Sequence, residues 1–220
     1  MSEREGVARL TRVARPSESS GLMPPLRVAR RPQAAPPALP APTGVARLTP
    51  SAAAVEQAAR ELRQVMGRFA TGVTVVSTLE GEVVHGMTAN AFLSVSLRPP
   101  LVLVSLGRCR MNEMLPRTGR YGVSVLCHDQ EHLAQHFAGR QAAPAPPAFV
   151  WQRGMPVLED ALAHLVCRVV DCHRAGDHML WIGEVEHLHH ADAEPLLFYA
   201  GRFGTLHEVS DRSARPDAGG

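Results

Sequence analysis

Residues 66–105 read MGRFATGVTVVSTLEGEVVHGMTANAFLSVSLRPPLVLVS and contain two runs rich in Val, Thr and Leu, at 71–78 and 100–105. Such runs of β-branched and apolar residues are typical of strands. Between them lies a segment of small and polar residues, Gly86-Met87-Thr88-Ala89-Asn90-Ala91. This segment has too little apolar volume to fill a core, but it would let a flat ligand approach the backbone closely. The stretch therefore predicts a ligand site built into a sheet.

The sequence around this stretch predicts many short strands and few helices. Pro99 and Pro100 open a strand at a position where a missing N–H is tolerated. Further strands are predicted from residue pattern at 83–86, 92–97, 121–126, 161–173, 179–190 and 195–200. Short strands in close succession favour a closed antiparallel barrel over a parallel sheet. We therefore predict a mainly β fold, a closed antiparallel Greek-key β-barrel with a few flanking helices.

The longest predicted helix precedes the strands. Ser51 follows Pro50 and can cap a helix that runs to about Gly67. Its apolar residues recur at helical spacing and predict a stripe that packs against the rest of the domain: Val55, Ala58, Ala59, Leu62, Val65, Met66 and Phe69. Shorter helices are predicted over 111–116 and 130–137. The Pro- and Ala-rich segment 140–154 predicts a surface loop.

Residues 1–50 differ in composition from the rest of the chain. They hold nine of the 18 prolines, eight arginines against three glutamates, and no aromatic residue. Such a segment cannot bury enough apolar area to offset its ordering entropy. We predict a disordered tail over 1–50, one folded domain over 51–209 and a flexible tail over 210–220. The first tail repeats the hexapeptide GVARLT at 6–11 and 44–49, and its role as a docking arm, a targeting peptide or a dispensable extension stays open.

Composition also narrows the class of partner and the compartment. The net charge is +2, of which residues 1–50 carry +5, so the predicted domain is slightly acidic and gives no reason to expect a nucleic-acid surface. No apolar stretch approaches the ~20 residues of a membrane span. The four cysteines form no CxxC motif and indicate free thiols in a reducing compartment. We predict a cytoplasmic protein that binds neither nucleic acid nor membrane.

Two groups of histidines raise the question of a metal site. His128, His132 and His136 recur every four residues and would share one helical face. The sequence HLAQH at 132–136 lacks the glutamate of a zinc-binding HExxH motif, so a solvated helix face is favoured. The histidines at 187–190 end a strand and indicate a surface turn. We predict no metal site.

Three stretches, in this order, resemble the short-chain flavin reductase family: RFATGVTVV (68–76), GMTANAFLSVSLRPPLVLV (86–104) and AGDHMLWIGEVE (175–186). The resemblance runs over about 62–203. It implies an FMN-binding split barrel in which a hydride passes from NADH or NADPH to FMN or FAD, the cofactors carrying the chemistry. It also implies a homodimer and a flavin-dependent monooxygenase that receives the reduced flavin.

Two segments carry the expected flavin contacts. The isoalloxazine ring needs small residues and backbone amides along its edge, and the resemblance assigns this role to Met87, Thr88, Ala89 and Asn90; Thr88 and Asn90 are suited to hydrogen-bond N5, O4 or N3. The flavin phosphate needs donors, which a turn entering a helix provides. The candidates there are Ser105, Leu106, Gly107, Arg108, Met111 and Asn112, with Arg108 or Arg110 offering charge-assisted contacts. The alternatives are a polar surface hairpin and solvated arginines.

Asp177 and His178 lie in the connection between the two longest predicted strands. In the family the GDH motif lies beside the nicotinamide, so the resemblance assigns His178 a catalytic role in NAD(P)H binding, hydride-transfer geometry or proton delivery, with Asp177 orienting it. Arg202, in YAGRF, is a further candidate for flavin contact, the alternative being a surface arginine. Two other functions stay open: a flavin-binding sensor or storage protein that does not turn over, and an interaction protein whose arm docks on a partner.

Overall fold

The computed structural model describes residues 9–12 and 51–206. The helices are α1 (Ala52–Met66), α2 (Met111–Thr118) and α3 (Glu131–Phe137), and a 3₁₀ turn over His128–Gln130 leads into α3. The strands are β1 (Arg9–Arg12), β2 (Thr71–Gly72), β3 (Thr74–Glu80), β4 (Val83–Ala89), β5 (Phe92–Leu97), β6 (Pro100–Leu106), β7 (Arg120–Val125), β8 (Phe149–Gln152), β9 (Met155–Leu158), β10 (Ala163–Ala175), β11 (His178–His190), β12 (Leu197–Tyr199) and β13 (Arg202–Gly204). The prediction of a mainly β fold is confirmed.

Eight of the strands form one antiparallel sheet in the order β1-β4-β3-β7-β10-β11-β6-β5. Two smaller sheets accompany it, β13-β12-β2 and the hairpin β8-β9. The longest pairing is that of β10 with β11, which join Ala163 to His190 at one end and Ala175 to His178 at the other. Strands β1 and β5 are the outer strands, and the pairings of the described residues do not join them, so the predicted closure of the barrel is not seen there.

The core lies on both faces of the large sheet. Val75 and Val76 are consecutive residues of β3 and therefore point to opposite faces. Val76 belongs to a first cluster of buried side chains, and Val75 to a second. The first cluster comprises Val76, Ala89, Val102, Val104, Leu106, Met111, Leu115, Tyr121, Val123, Cys167 and Trp181. The second, beneath α3, comprises Val73, Val75, Leu126, Leu133, Ala134, Phe137, Leu158, Ala161 and Leu196. Burial on both faces explains why β3 reads as a continuous run rather than an alternating one.

The apolar stripe of α1 is exposed, whereas the sequence predicted that it would be buried. The helix itself forms, and the Ser51 hydroxyl accepts a hydrogen bond from the Ala54 N–H at 3.2 Å, as expected of an N-cap. No residue of α1 is buried, however, and Leu62 and Val65 expose 62% and 67% of their surface. Helical periodicity identifies an apolar face of α1 without identifying what covers that face.

Part of the segment predicted as a surface loop is a hairpin of the core. Strands β8 and β9 pair within 149–158, and Met155, Val157 and Leu158 are buried. The Ser77 hydroxyl donates to the Pro156 carbonyl at 2.5 Å, and the Leu158 N–H donates to the Ser124 hydroxyl at 2.8 Å. The Pro- and Ala-rich residues 140–148 favoured the prediction of a loop. The two strands that follow have only four residues each and give a weak sequence signal.

One stretch of the segment predicted to be disordered is a strand. Residues Arg9–Arg12 form β1 and pair with β4, Arg9 lying opposite Gly86 and Arg12 opposite Val83. The remainder of 1–50 and the predicted flexible tail over 210–220 lie outside the described residues. Within the described ranges, no helix has the length and apolarity that crossing a membrane would require.

Candidate functional site

Pairing between β6 and β11 places His178 beside the loop predicted to hold a phosphate. Met179 lies opposite Leu106, and Leu180 lies opposite Ser105. The His178 ring consequently lies over Gly107, and a Cβ atom on Gly107 would be 3.5 Å from His178 Nε2. Because Gly107 has no side chain, no Cβ atom lies between the histidine ring and the backbone of this loop.

The imidazole of His178 is oriented by its neighbour. Its Nδ1 lies 2.7 Å from Asp177 Oδ1. A carboxylate at this distance favours the tautomer that carries hydrogen on Nδ1, which leaves Nε2 as the acceptor of the neutral ring. Because the His178 side chain is 45% exposed, Nε2 is accessible to a ligand lying over Gly107. The arrangement is suited to accept a proton at Nε2 and to deliver it again from the imidazolium so formed.

A network of side chains fixes the same loop from inside the domain. The Asn112 amide donates to the Gly107 carbonyl at 2.6 Å, and the Trp181 indole N–H donates to Asn112 Oδ1 at 2.8 Å. Trp181 is almost completely buried, so its indole hydrogen has no access to solvent. Asn112 thus commits one donor and one acceptor to holding the loop, and a contact with phosphate stays a prediction. Sequence reasoning missed the role of Trp181, although the residue lies three positions after His178.

The segment predicted to contact a flavin ring forms the end of β4. Met87 packs against the first core cluster and Ala89 is part of it, so these two residues offer mainly backbone to a ligand. Thr88 points to the other face, where its hydroxyl donates to the Ala134 carbonyl of α3 at 2.7 Å. Its oxygen can therefore only accept a hydrogen bond from a ligand, which suits the N3–H of a flavin. Asn90 directly follows the strand and is exposed.

A hydrogen bond joins the two predicted flavin segments. The Ser105 N–H donates to the Ala91 carbonyl at 2.9 Å, and Phe92 lies opposite Val104. The turn that follows Asn90 therefore lies beside the end of β6, whose other neighbour is the start of β11. The structure thus brings residues 87–90, 105–108 and 177–178 to one end of three strands.

Several of the residues predicted to bind a phosphate have side chains or N–H groups that are already engaged within the protein. The side chains of Leu106 and Met111 belong to the first core cluster, which leaves only their backbone for a ligand. At the start of α2, the N–H groups of Asn112 and Glu113 donate to carbonyls of the preceding turn, at 3.2 and 2.9 Å. Backbone amides at this helix start are therefore partly engaged within the chain. Positive charge beside the loop comes mainly from arginine side chains.

These arginines line a cavity of about 510 Å³ beside the loop, whose walls are Arg108, Cys109, Arg110, Glu113 and Arg117. Burial raises the pKa of the Cys109 thiol, which is neutral at pH 7 and adds no negative charge. Glu80, the last residue of β3, pairs with Arg110 at 2.5 Å and with Arg117 at 2.8 Å. The hydrogen bond from Arg110 lowers the pKa of Glu80, so that its side chain is a carboxylate at neutral pH. Sequence reasoning did not identify Glu80.

Arg202 lies apart from this group. It is an exposed residue of β13 and pairs with Tyr199 in the three-stranded sheet, whereas the other predicted residues belong to the large sheet and the loop after β6. Phe198 and Phe203 pack that small sheet against the second core cluster. Flavin contact by Arg202 stays a prediction.

Of the three histidines predicted to lie on a solvated helix face, His128 and His132 are exposed, but His136 is buried and the prediction is wrong for that residue. His132 Nδ1 lies 3.1 Å from the Asp129 carbonyl, and His136 Nδ1 accepts from the Ala143 N–H at 2.9 Å. Across residues 9–12 and 51–206, no group of three or more His, Cys, Asp or Glu side chains is arranged to hold a metal ion.

A comparison with known proteins finds relatives over most of the described region. The family model of the flavin reductase like domain matches residues 66–207. An NADH-dependent flavin reductase of a Rhodococcus species is 55% identical over 149 residues, which cover 66% of this chain and 85% of that protein. The styrene monooxygenase flavin reductase SMOB of Pseudomonas putida S12 superposes with a TM-score of 0.64 and 40% identity, covering 67% of this chain and 97% of that one. The NADH:FAD oxidoreductase SgcE6 of Streptomyces globisporus C-1027, in complex with NAD and FAD fragments, gives a TM-score of 0.66 and 38% identity, covering 70% of this chain and 96% of that one.

Proposed function

This chain belongs to the flavin reductase like domain family, and we propose that it is an NADH-dependent flavin reductase that passes a hydride from NADH to FMN or FAD. The Rhodococcus relative, which is 55% identical, is named an NADH-dependent flavin reductase and supports NADH as the donor. The observation that carries the proposal is the position of His178 over Gly107, beside the end of β4. A side chain that can exchange a proton thus lies beside the loop that we propose holds the flavin, and this supports the proposal.

The described residues fit a flavin nucleotide. The backbone of Met87 and Ala89 and the acceptor oxygen of Thr88 offer an edge with little side-chain bulk, which a flat ring system needs. The arginine-lined cavity offers charge-assisted donors for phosphate. Bound flavin supplies the chemistry by accepting a hydride at its N5 atom.

The chain's own residues bind, orient and exchange a proton. We propose that the end of β4 and the loop after β6 hold the flavin, and that Asn112 and Trp181 keep this loop in one conformation. His178 contacts the nicotinamide or the flavin edge through Nε2, and Asp177 fixes the orientation of its ring. In the same proposal, Nε2 would take up a proton from solvent and pass it to the reduced flavin, which returns the His178 ring to its neutral form.

Aerobic consumption of NADH by the purified chain tests the proposed reaction. The expected result is slow NADH oxidation without flavin and a large stimulation by added FMN or FAD, with NADPH as the comparison donor. Oxidation that no flavin stimulates, with either nucleotide, would reject the proposed function.

We also propose that a flavin-dependent monooxygenase receives the reduced flavin. The support is the similarity to a flavin reductase of styrene monooxygenase. Adding the chain, NADH and FAD to an oxygenase component of such a system is expected to drive substrate oxygenation. Omission of the chain is the control, and equal oxygenation without it would count against this role.

Three further properties belong to the proposal. A homodimer is supported by the exposed apolar residues of the edge strand β5, of which Leu93 exposes 52% and Leu97 84% of its surface. Light scattering is expected to give twice the 23.8 kDa of one chain, and the monomer mass would contradict it.

Curling of the large sheet into a split barrel is supported by the hydrogen bond between Ser105 and Ala91, which brings the end of β4 to β6. Cytoplasmic location is supported by four cysteines that are all free.

A further inference from the structure

The arginine-lined cavity is larger than one phosphate group requires. Its volume is about 510 Å³, whereas a phosphate group fills roughly two to three times the ~30 Å³ that a water molecule takes in the liquid. FMN ends in a single phosphate, while FAD continues into a second phosphate and an adenosine. A cavity of this size beside the Gly107 loop therefore has room for the second phosphate of FAD as well as the first.

The charge of this cavity depends on Glu80. Three guanidinium groups, those of Arg108, Arg110 and Arg117, face one carboxylate of the wall, that of Glu113. With the carboxylate of Glu80 counted beside that of Glu113, the three guanidinium groups leave a net charge of +1, and without Glu80 the net charge would be +2. The local charge that an anionic ligand meets is thus set by one side chain on a neighbouring hairpin.

Glu80 uses the same donors that a phosphate would use. Its Oε2 accepts from Arg110 and its Oε1 accepts from Arg117, so that one group with two acceptor oxygens bridges two guanidinium groups. Phosphate oxygens accept from arginine in the same manner. Carboxylate and phosphate therefore compete for Arg110 and Arg117.

We propose that Glu80 is a specificity-determining residue, which occupies Arg110 and Arg117 and so lowers the preference of the site for FAD over FMN. The inference rests on the proposed function, because it concerns the flavin site of that function. Arg108 is taken as the donor to the phosphate that FMN and FAD share. The second phosphate of FAD is then the group that gains when Arg110 and Arg117 are released.

The test is the substitution Glu80→Gln, with Glu82→Gln as the matched control. Glu82 is an exposed glutamate on the turn of the same hairpin, two residues away. Dissociation constants for FAD, FMN and riboflavin are measured from the change in flavin fluorescence on titration with each full-length variant. Riboflavin has no phosphate and reports on the ring site alone.

Release of the two exposed ion pairs is expected to tighten FAD binding about fivefold in Glu80→Gln. FMN binding is expected to change less than about twofold, and riboflavin binding is expected to be unchanged. Glu82→Gln should leave all three constants as in the wild type. In the double variant Glu80→Gln, Arg117→Gln, the gain for FAD should disappear, which ties the effect to the released arginine.

Three outcomes would overturn the inference. Weaker FAD binding in Glu80→Gln would mean that Glu80 positions the arginines instead of competing for them. Unchanged FAD binding, or equal gains for FMN and FAD, would mean that the carboxylate does not discriminate between the two flavins. If the wild-type chain bound none of the three flavins, the proposed function itself would be rejected. If the wild-type chain bound riboflavin and Glu80→Gln had no effect on FAD binding, only the role of Glu80 would be rejected.

Discussion

Removing the side chain of Asn112 tests whether its network holds the flavin loop. Asn112→Ala deletes two hydrogen bonds, that to the Gly107 carbonyl at 2.6 Å and that from the Trp181 indole at 2.8 Å. Because Trp181 exposes only 2% of its surface, its N–H would lose its partner without gaining water. Leaving a buried donor unpaired costs about 1–3 kcal/mol of the free energy of unfolding.

A double-mutant cycle with Trp181→Phe separates the cost of the unpaired indole N–H from the other effects of Asn112→Ala. Trp181→Phe removes the N–H, so that Asn112→Ala in the Trp181→Phe background no longer orphans a donor. The cost of Asn112→Ala should therefore fall by about 1 kcal/mol in that background. Urea unfolding followed by circular dichroism measures all four proteins of the cycle.

The network also predicts a functional effect that a merely structural asparagine would not have. Loosening of the Gly107 loop should weaken the binding of FMN and FAD more than that of riboflavin, because the loop is assigned to the phosphate. A cost of Asn112→Ala below about 0.5 kcal/mol, independent of the residue at 181 and without change in flavin affinity, would refute the reasoning.

Three other perturbations test the site and the core. In steady-state kinetics, His178→Ala should lower kcat/KM for NADH by about 10²-fold with flavin affinity nearly unchanged. His173 is exposed, and His173→Ala serves as the control. Equal losses in both variants would contradict the role of His178. Gly183→Ala would place a Cβ 2.2 Å from the hydroxyl of a buried tyrosine and should cost about 3 kcal/mol or more, whereas Gly204→Ala, with nothing within 4 Å, should be nearly neutral in thermal unfolding. Burial lowers the pKa of His85 in the folded state. The unfolded chain therefore binds more protons, and the free energy of unfolding should fall as the pH drops below about 6.5. His85→Leu should flatten this dependence in urea titrations at several pH values, and an unchanged slope would count against it.

Local patterns were sufficient to predict the strands that form the site. The β-branched runs at 71–78 and 100–105 overlap β3 and β6, and the two long strands after Ala161 are β10 and β11. The connection at Gly176 and Asp177 pairs these two strands into a hairpin. These features depend on neighbours in sequence, which is why the sequence reveals them.

The contacts that complete the site depend on pairs distant in sequence. Glu80 meets Arg117 across 37 positions, and Trp181 meets Asn112 across 69. No periodicity or turn motif links such residues, since their proximity follows from the order of strands in the sheet. The exposed stripe of α1 shows the same limit, because an amphipathic pattern gives the apolar face of a helix but not its partner.

Anaerobic mixing of the purified chain with NADH and oxidised FAD tests the central claim most directly. The account predicts that the yellow absorbance of the flavin bleaches at a rate proportional to the concentration of the chain, and that His178→Ala slows the bleaching about 10²-fold. Flavin that stays oxidised in the presence of NADH and the intact chain would contradict it.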